Sequence, residues 1–355
     1  MGETEKRELL TISPEWSIPQ LQEKIADAIS GQGPALATGH NQIKYVAENI
    51  ALVVETSGST GKPKSVAIST TALIASTNAA HKYLGATPGD SWSLILPITH
   101  IAGLNVIARA TALGTKVIDN RNVSNYEDAD FISIVPTQLH RAVNGDAKLL
   151  EHLTNAEAVL VGGGSTSDEL RKKAAEKHVK IVSTYGMTEM CGGCVYNQKP
   201  LEGVDVEINL EGLIKLRGPM MATTYLNDQS GWHEIANDGW FQTRDFGEFE
   251  DGKLKVLGRA DDVIKSGGEK ISLIDIEEKF KKYFPNIEVV AFGVPDAEWG
   301  EKLCLGVTKQ ISLTEVQSKL TGVNAPKEVF VLSQIPRTKL GKVDRPALVN
   351  LAMGK

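Results

Sequence analysis

Short apolar runs separated by helical patterns are the feature that most constrains the fold. "SWSLILP" (91–97), "DFISIVP" (130–136) and "KIVSTYG" (180–186) have the length and composition of buried strands. Elsewhere in this region, "DELRKKAAEKH" (168–178) has the charge pattern of a solvated helix. Alternation of buried strands and helices indicates α/β layering. The sequence therefore predicts a large α/β domain over residues 1–257.

The remainder of the chain has a different pattern. "VDVEINLEGLIKLRG" (204–218) is typical of a hairpin turning at Glu211–Gly212, and it opens a more β-rich portion of the large domain. The segment "GRADD" (258–262) joins a glycine to a charge cluster, as a hinge would. Helical and strand runs in residues 263–355 predict a small, mobile α+β domain.

Composition limits the classes of partner. The chain has 355 residues, 41% of them hydrophobic, and a net charge of -6, which argues against a nucleic-acid surface. No apolar run approaches the roughly 20 residues of a membrane span. The N-terminal "MGETEKRELL" carries charges where a signal peptide would be apolar. We therefore expect a cytoplasmic protein that binds neither nucleic acid nor membrane, and the oligomeric state is not predicted.

Three cysteines occur, at Cys191, Cys194 and Cys304. "CGGC" (191–194) has a redox or metal spacing, but no second Cys or His pair lies at a ligand-like distance from it. Small residues in a tight, glycine-rich segment explain the pattern better, so the metal interpretation is rejected.

The loop "TSGSTGKPK" (56–64) follows a buried apolar run and precedes a helix whose predicted N-cap is Ser69. Its glycines would let the backbone approach a phosphate, its hydroxyls would donate hydrogen bonds, and its lysines would neutralise charge. The Walker A pattern is not met, because Thr56 and Pro63 stand where Gly and Ser or Thr are required. These residues alone leave a phosphate cradle and a flexible turn both open.

The sequence of this loop resembles that of the phosphate loop in the adenylate-forming superfamily. This superfamily includes acyl-CoA synthetases, luciferases and peptide-synthetase adenylation domains. Taken singly, a His100 or a Lys342 would be an ordinary loop or surface residue. Further segments, however, resemble the motifs of the superfamily in the same order. They are "LPITHIAGL" (96–104), "VLVGGGST" (159–166), "STYGMTE" (183–189), "WFQTRDFG" (240–247), "GRADDVIKSGGEKIS" (258–272) and "PRTKLGKVDR" (336–345).

The resemblance implies ATP, Mg²⁺ and CoA as cofactors, and a role for each matching residue. Lys342 would be the catalytic lysine, His100 would lie at the mouth of the acyl pocket, and Glu189 would help to hold Mg²⁺. Asp261 would be the hinge residue. CoA would be bound by Lys265, Gly267 and Gly268. ATP or AMP would be bound by Thr56, Ser57, Gly58, Ser59, Thr60, Gly61, Lys62, Lys64, Gly162, Gly163, Gly164, Tyr185, Gly186, Thr188, Asp245 and Arg259.

The implied reaction has two halves. A carboxylate attacks the α-phosphorus of ATP to give an acyl-adenylate and pyrophosphate, and the thiol of CoA then displaces AMP. Because carboxylate and triphosphate repel each other, the first half needs the positive charge of Lys342 and Mg²⁺. The second half requires the small domain to rotate about Asp261, which withdraws Lys342 and presents Gly267 and Gly268 to the pantetheine arm.

Residues 51–110 resemble the o-succinylbenzoate–CoA ligases of bacterial menaquinone synthesis, which implies an aromatic acid with two carboxylates as the substrate. The chain has fewer residues before the phosphate loop than the superfamily usually carries, so a reduced N-terminal subdomain is expected. Arg109 is interpreted as a charge on a helix surface, with a place in the acyl pocket as the alternative. Other aryl- or acyl-CoA ligases, adenylation of a carrier protein, and a non-catalytic nucleotide-binding relative remain open.

Overall fold

The computed structural model describes residues 6–39, 42–56, 63–337 and 343–354, with the backbone alone at residue 261. The chain forms two compact units. Unit 1 comprises Met1–Glu207, Lys215–Thr243 and Phe249–Leu254, and unit 2 comprises Ile208–Ile214, Arg244–Glu248 and Lys255–Lys355. The domain boundary expected at residues 258–262 stays a prediction.

The α-helices of the described residues are α1 (Ile18–Ser30), α2 (Thr70–Leu84), α3 (Ile101–Ala112), α4 (Pro136–Val143), α5 (Ala147–Asn155), α6 (Asp168–Glu176), α7 (Gln229–Ile235), α8 (Leu273–Tyr283), α9 (Leu313–Gln317) and α10 (Arg345–Ala352). None of them is long and apolar enough to cross a membrane.

The strands up to residue 200 are β1 (Lys6–Thr11), β2 (Ala35–Ala37), β3 (Tyr45–Ala47), β4 (Ile50–Thr56), β5 (Lys64–Ser69), β6 (Trp92–Leu94), β7 (Ile118–Asp119), β8 (Phe131–Ile134), β9 (Ala158–Val161), β10 (Ile181–Met187), β11 (Gly192–Tyr196) and β12 (Lys199–Pro200). The later strands are β13 (Asp205–Ile208), β14 (Leu213–Arg217), β15 (Thr224–Tyr225), β16 (Ala236–Asn237), β17 (Trp240–Glu250), β18 (Lys253–Arg259), β19 (Val263–Ser266), β20 (Glu269–Ser272), β21 (Val289–Asp296), β22 (Gly300–Val307) and β23 (Glu328–Val331).

A six-stranded sheet in unit 1 has the order β15-β5-β4-β2-β1-β3. The strand β5, which the sequence did not predict, lies between the phosphate loop and the helix and pairs antiparallel with β4. Val66 and Ile68 in β5 are β-branched and fully buried, which suits a strand. The predicted cap is correct: the Ser69 side chain accepts a hydrogen bond from the amide of Ala72 at 3.1 Å and begins α2.

A seven-stranded sheet in the same unit has the order β12-β11-β10-β9-β8-β6-β7. The strands from β10 to β7 in this order are parallel, whereas β11 runs antiparallel to β10. The three apolar runs of the sequence are β6, β8 and β10. Leu139, Leu149 and Leu153, from α4 and α5, pack with the sheet residues Ile132 and Val159 in one buried cluster. The predicted α/β layering is confirmed.

A third sheet has the order β13-β14-β17-β16, with β18 paired to β17. The predicted hairpin turns at Gly212, whose φ of 85° favours glycine. The amide of Gly212 donates to the carbonyl of Asn209 at 2.8 Å, which closes the turn.

Unit 2 contains a sheet of order β20-β19-β22-β21, with β23 paired to β22. Successive residues of β21 point to opposite faces, and both faces are covered. Val289 and Ala291 pack in a cluster with Ile276 and Phe280 of α8, while Phe292 packs in another with Leu348 of α10. The predicted α+β fold of this region is confirmed.

Candidate active site

A cavity of about 410 Å³ lies in unit 1 at the carboxyl ends of its parallel strands. Leu96 and Pro97 follow β6, Val135 follows β8, Gly162 follows β9 and Met187 ends β10, and all five line the cavity. Ligands of open parallel sheets bind at this edge, where the strand-to-helix connections diverge. The volume is in the range of small-molecule sites.

Five of the predicted site residues line this cavity together: His100, Gly162, Gly163, Gly186 and Thr188. At two of them a side chain would collide with a neighbouring atom. A Cβ atom at Gly162 would lie 2.2 Å from the Thr184 hydroxyl, and one at Gly186 would lie 1.9 Å from the carbonyl oxygen of Gly192. Three other predicted members of the glycine and "STYGMTE" motifs do not line the cavity: Gly164, which follows β9, Tyr185, which lies on β10, and Glu189. The nucleotide contacts of all these residues stay predictions.

The interpretation of Arg109 as a surface charge is wrong. Arg109 lies on α3, is only 4% exposed and lines the cavity. The helix sequence "IAGLNVIARATA" is apolar almost all round, and such a helix is buried, so an arginine in its middle is buried with it. The burial of Arg109 could have been predicted from this apolar pattern.

The groups that contact the guanidinium of Arg109 are uncharged. Its Nη2 donates to the Tyr196 hydroxyl at 3.1 Å, and its Cζ lies 5.0 Å from the centre of the Trp92 ring. Burial, with the repulsion of Arg109 second, lowers the pKa of the nearby His81 to about 4, so this imidazole is neutral at pH 7. Within the described part of the chain no carboxylate pairs with Arg109. Arg109 therefore brings to the cavity wall a positive charge that no carboxylate of the described residues pairs with.

Glu189 and Lys64 meet at Tyr225. The Tyr225 hydroxyl donates to Glu189 Oε1 at 2.6 Å, and the Lys64 ammonium lies 4.2 Å from the centre of the Tyr225 ring. Thr56 pairs with Lys64 in the ladder of β4 and β5, so both flanks of the phosphate loop lie in this region. Mg²⁺ in nucleotide sites is usually held by one or two carboxylates together with phosphate oxygens, and the half-buried Glu189 fits that role.

Some of the predicted residues lie outside the described residues. They are Lys342 and the loop residues Ser57, Gly58, Ser59, Thr60, Gly61 and Lys62. On either side of residues 338–342 the chain pairs with itself. Arg337 and Val343 form an antiparallel bridge, and the amide of Asp344 donates to the carbonyl of Pro336 at 2.9 Å.

The predicted ribose and hinge residues belong to unit 2. Asp245 lies on β17, and the exposed Arg259 ends β18. The backbone of Asp261 lies in a 3₁₀ turn, Ala260–Asp262. Their ligand contacts stay predictions.

The predicted CoA-binding residues lie on a hairpin of unit 2. Lys265 is an exposed residue of β19, while Gly267 and Gly268 form the two-residue turn to β20. The φ angles of these glycines are 60° and 86°, and a turn with both angles positive selects glycine by itself. The turn thus explains both glycines without CoA, and their contact with CoA stays a prediction.

The two thiols of "CGGC" are part of the protein core and have no sign of a chemical role. Cys191 and Cys194 are fully buried, and burial raises the pKa of each thiol to about 12. Protonated, inaccessible thiols are poor nucleophiles and poor metal ligands. The carbonyl of Cys191 accepts a hydrogen bond from the Asn105 amide at 2.8 Å, which ties this segment to α3 beside the cavity.

Taken together, the parallel sheet and the cavity at its carboxyl edge define the class of α/β proteins that bind a small molecule at the ends of their strands. The sequence profile described as AMP-binding enzyme matches residues 3–209. The chain belongs to the family of AMP-binding enzymes.

Named relatives agree with this assignment. A "Probable 2-succinylbenzoate–CoA ligase" from Mycobacterium tuberculosis is 33% identical over 373 residues, with 95% of each chain covered. A 2-succinylbenzoate–CoA ligase from Listeria monocytogenes is 30% identical and is matched over 84% of this chain and 69% of its own. The o-succinylbenzoate CoA synthetase of Bacillus subtilis, in complex with its acyl-adenylate intermediate, superposes with a TM-score of 0.71 at 25% identity, covering 96% of this chain and 82% of that one. The resemblance found in the sequence is confirmed.

Proposed function

We propose that this protein is an AMP-forming acid–thiol ligase that activates 2-succinylbenzoate with ATP and transfers the acyl group to CoA. The relatives that match nearly the whole chain carry the name of this activity. Its co-substrates would be ATP and CoA, with Mg²⁺ as the metal. The proposal includes a cytoplasmic location, because ATP and CoA are supplied there.

The observation that carries the choice of acid is the buried cation in the cavity. Leu96, Ile134 and Leu160 give the cavity apolar walls that suit an aromatic ring. Arg109 adds a guanidinium that no described carboxylate neutralises. A second carboxylate on the substrate would supply the missing charge through charge-assisted hydrogen bonds. An aromatic diacid therefore suits this cavity better than a fatty acid or a simple benzoate.

In the first half-reaction the protein must bring two anions together. Lys342 would neutralise charge at the α-phosphate while the carboxylate attacks. The loop from Thr56 to Lys64 would hold the β- and γ-phosphates, which leave as pyrophosphate. Mg²⁺, when bound by Glu189, would withdraw further charge from the phosphates.

In the second half-reaction the thiol of CoA must reach the same carbonyl carbon. Rotation about Asp261 would withdraw Lys342 and present the turn of Gly267 and Gly268 to the pantetheine arm. Asp245 would hold the ribose of AMP and Arg259 would contact the nucleotide, as the resemblance implies. The thiol sulfur would bond to the carbonyl carbon while the bond from that carbon to the phosphate oxygen breaks. AMP would leave with that oxygen, and the thiol proton would pass to solvent.

Pyrophosphate release and thioester formation test this proposal with purified protein, ATP, Mg²⁺, CoA and a panel of acids. We expect 2-succinylbenzoate to be the preferred acid. In Arg109→Met the KM for this diacid should rise at least tenfold, since a charged hydrogen bond contributes roughly 1.5–3 kcal/mol. The matched control Arg141→Met removes an exposed arginine of α4 that pairs with Asp146, and it should leave KM unchanged.

The other outcomes are distinct. A preference for benzoate, coumarate or a fatty acid would make the protein a different acyl-CoA ligase. If none of the acids in the panel leads to pyrophosphate release, the protein would be a non-catalytic nucleotide-binding relative.

A further inference from the structure

Tyr196 is the residue that meets Arg109 inside the cavity wall. It ends β11, is fully buried and lines the same cavity. Its oxygen accepts the hydrogen bond from Arg109 Nη2, which leaves the phenolic proton to be donated elsewhere. Among the described residues we find no acceptor for that proton. Burial raises the pKa of the Tyr196 phenol, so the proton is retained at neutral pH.

The ring of Tyr196 is held from two sides. Tyr83 packs edge-on against it, with 5.2 Å between the ring centres. On another side lies Gly193, where a Cβ atom would come within 2.9 Å of Tyr196 Cε1. Such a contact is too short for real atoms, so the absence of a side chain at Gly193 leaves the space that the tyrosine ring occupies. The position of the hydroxyl is therefore fixed by packing rather than by the hydrogen bond alone.

The Tyr196 hydroxyl is the principal polar neighbour of the Arg109 guanidinium. Trp92 offers the face of its ring, which attracts a cation but fixes its direction weakly. His81 is neutral and carries no negative charge to compete for the guanidinium. The bond from Nη2 to the phenol oxygen thus sets the orientation of the guanidinium within the cavity wall.

We propose that Tyr196 is a specificity-determining residue: it holds Arg109 toward the cavity and donates its own proton to the carboxylate that Arg109 binds. This inference rests on the proposed function, since it concerns the carboxylate of the diacid that is not activated. An N–H donor and an O–H donor converging on one carboxylate discriminate strongly against an acid that lacks it, because the buried donors would then be left unpaired.

Tyr196→Phe tests the proposal, because it removes the hydroxyl and keeps the ring. We expect KM for 2-succinylbenzoate to rise roughly tenfold with kcat nearly unchanged. The mono-acids 4-oxo-4-phenylbutanoate and 2-propionylbenzoate each lack one carboxylate, and KM for whichever is turned over should not change. Tyr83→Phe is the matched control, since it removes a neighbouring hydroxyl that contacts Asn197 instead of Arg109. It should leave both constants as in the wild type.

The double variant Arg109→Met/Tyr196→Phe separates a joint role from two separate ones. If the two residues act on the same carboxylate, their effects should not add: the double variant should lose less than the sum of the two single losses. An unchanged KM for the diacid in Tyr196→Phe would overturn the proposal, and so would an equal rise for the diacid and the mono-acid. A wild-type protein that ignores 2-succinylbenzoate would instead overturn the proposed function itself.

Discussion

The hydroxyl of Tyr225 donates a hydrogen bond to Oε1 of Glu189, with 2.6 Å between the two oxygens. The Tyr225 side chain is buried, and its ring also receives the ammonium of Lys64. One tyrosine thus connects the expected metal ligand with the end of the phosphate loop. Partners of this kind orient a ligating carboxylate and hold one of its oxygens, which leaves the other for the metal.

Tyr225→Phe should weaken the dependence on Mg²⁺ without unfolding the protein. The ring and its edge-on contact with Trp232 are kept, so the packing should survive. The loss of an orienting hydrogen bond typically costs about tenfold in metal affinity, so the Mg²⁺ concentration for half-maximal pyrophosphate release should rise by that factor. An unchanged Mg²⁺ requirement would show that Glu189 does not depend on Tyr225.

The sequence predicted the parts of the fold that depend on local patterns. The apolar runs of β6, β8 and β10, and the cap at Ser69, follow from strand composition and from the preference for serine before a first helical turn. The β5 strand was not predicted, because its six residues, "KSVAIS", are nearly all buried and show no alternation that would mark a strand. Neighbouring residues fix these features, so a single sequence contains them.

The pairs that build the site were not predictable in this way. Arg109 and Tyr196 are 87 residues apart, and Glu189 and Tyr225 are 36 apart. Each pair forms only because the order of strands in two sheets brings its members together. The sequence could have placed Arg109 in the interior from the apolar character of α3, but it could not have named its partner.

Lys342→Ala should separate the two half-reactions. Lysine is charged throughout the physiological pH range, so its loss removes a cation where the carboxylate and the α-phosphate meet. We expect pyrophosphate release from ATP and acid to fall by at least a hundredfold. Thioester formation from supplied acyl-adenylate and CoA should stay near the wild-type rate. An equal loss in both assays would contradict the proposal that Lys342 acts in the first half-reaction and is withdrawn for the second.

Arg345→Met should destabilise unit 2. Arg345 Nη1 lies 2.6 Å from Asp262 and Nη2 lies 3.1 Å from Glu277, and these three side chains are only 15–21% exposed. Its Nε also donates to the carbonyl of Ala291 at 3.1 Å. Removal of one member leaves two poorly solvated carboxylates without a cation, so the free energy of unfolding should fall by roughly 3–5 kcal/mol.

The control for this variant is Arg337→Met. Arg337 pairs with Glu288 at 3.0 Å, but both side chains are about half exposed. An exposed pair contributes about 0–1 kcal/mol, so this variant should stay close to the wild type in denaturant unfolding. Equal losses in the two variants would show that burial does not decide the strength of these pairs.

His81→Leu should reduce the acid sensitivity of the fold. The imidazole has a folded-state pKa of about 4, lowered from 6.5 by burial first and then by Arg109, and its Nε2 has no hydrogen-bond partner among the described residues. Below pH 6.5 the unfolded chain takes up a proton that the folded chain refuses. The wild type should therefore lose roughly 3 kcal/mol of stability through this group as pH falls from 6.5 to 4. The variant should lose that much less in equilibrium unfolding, whereas the exposed control His140→Gln should follow the wild type. Matching pH profiles for His81→Leu and wild type would mean that the imidazole takes up its proton without unfolding.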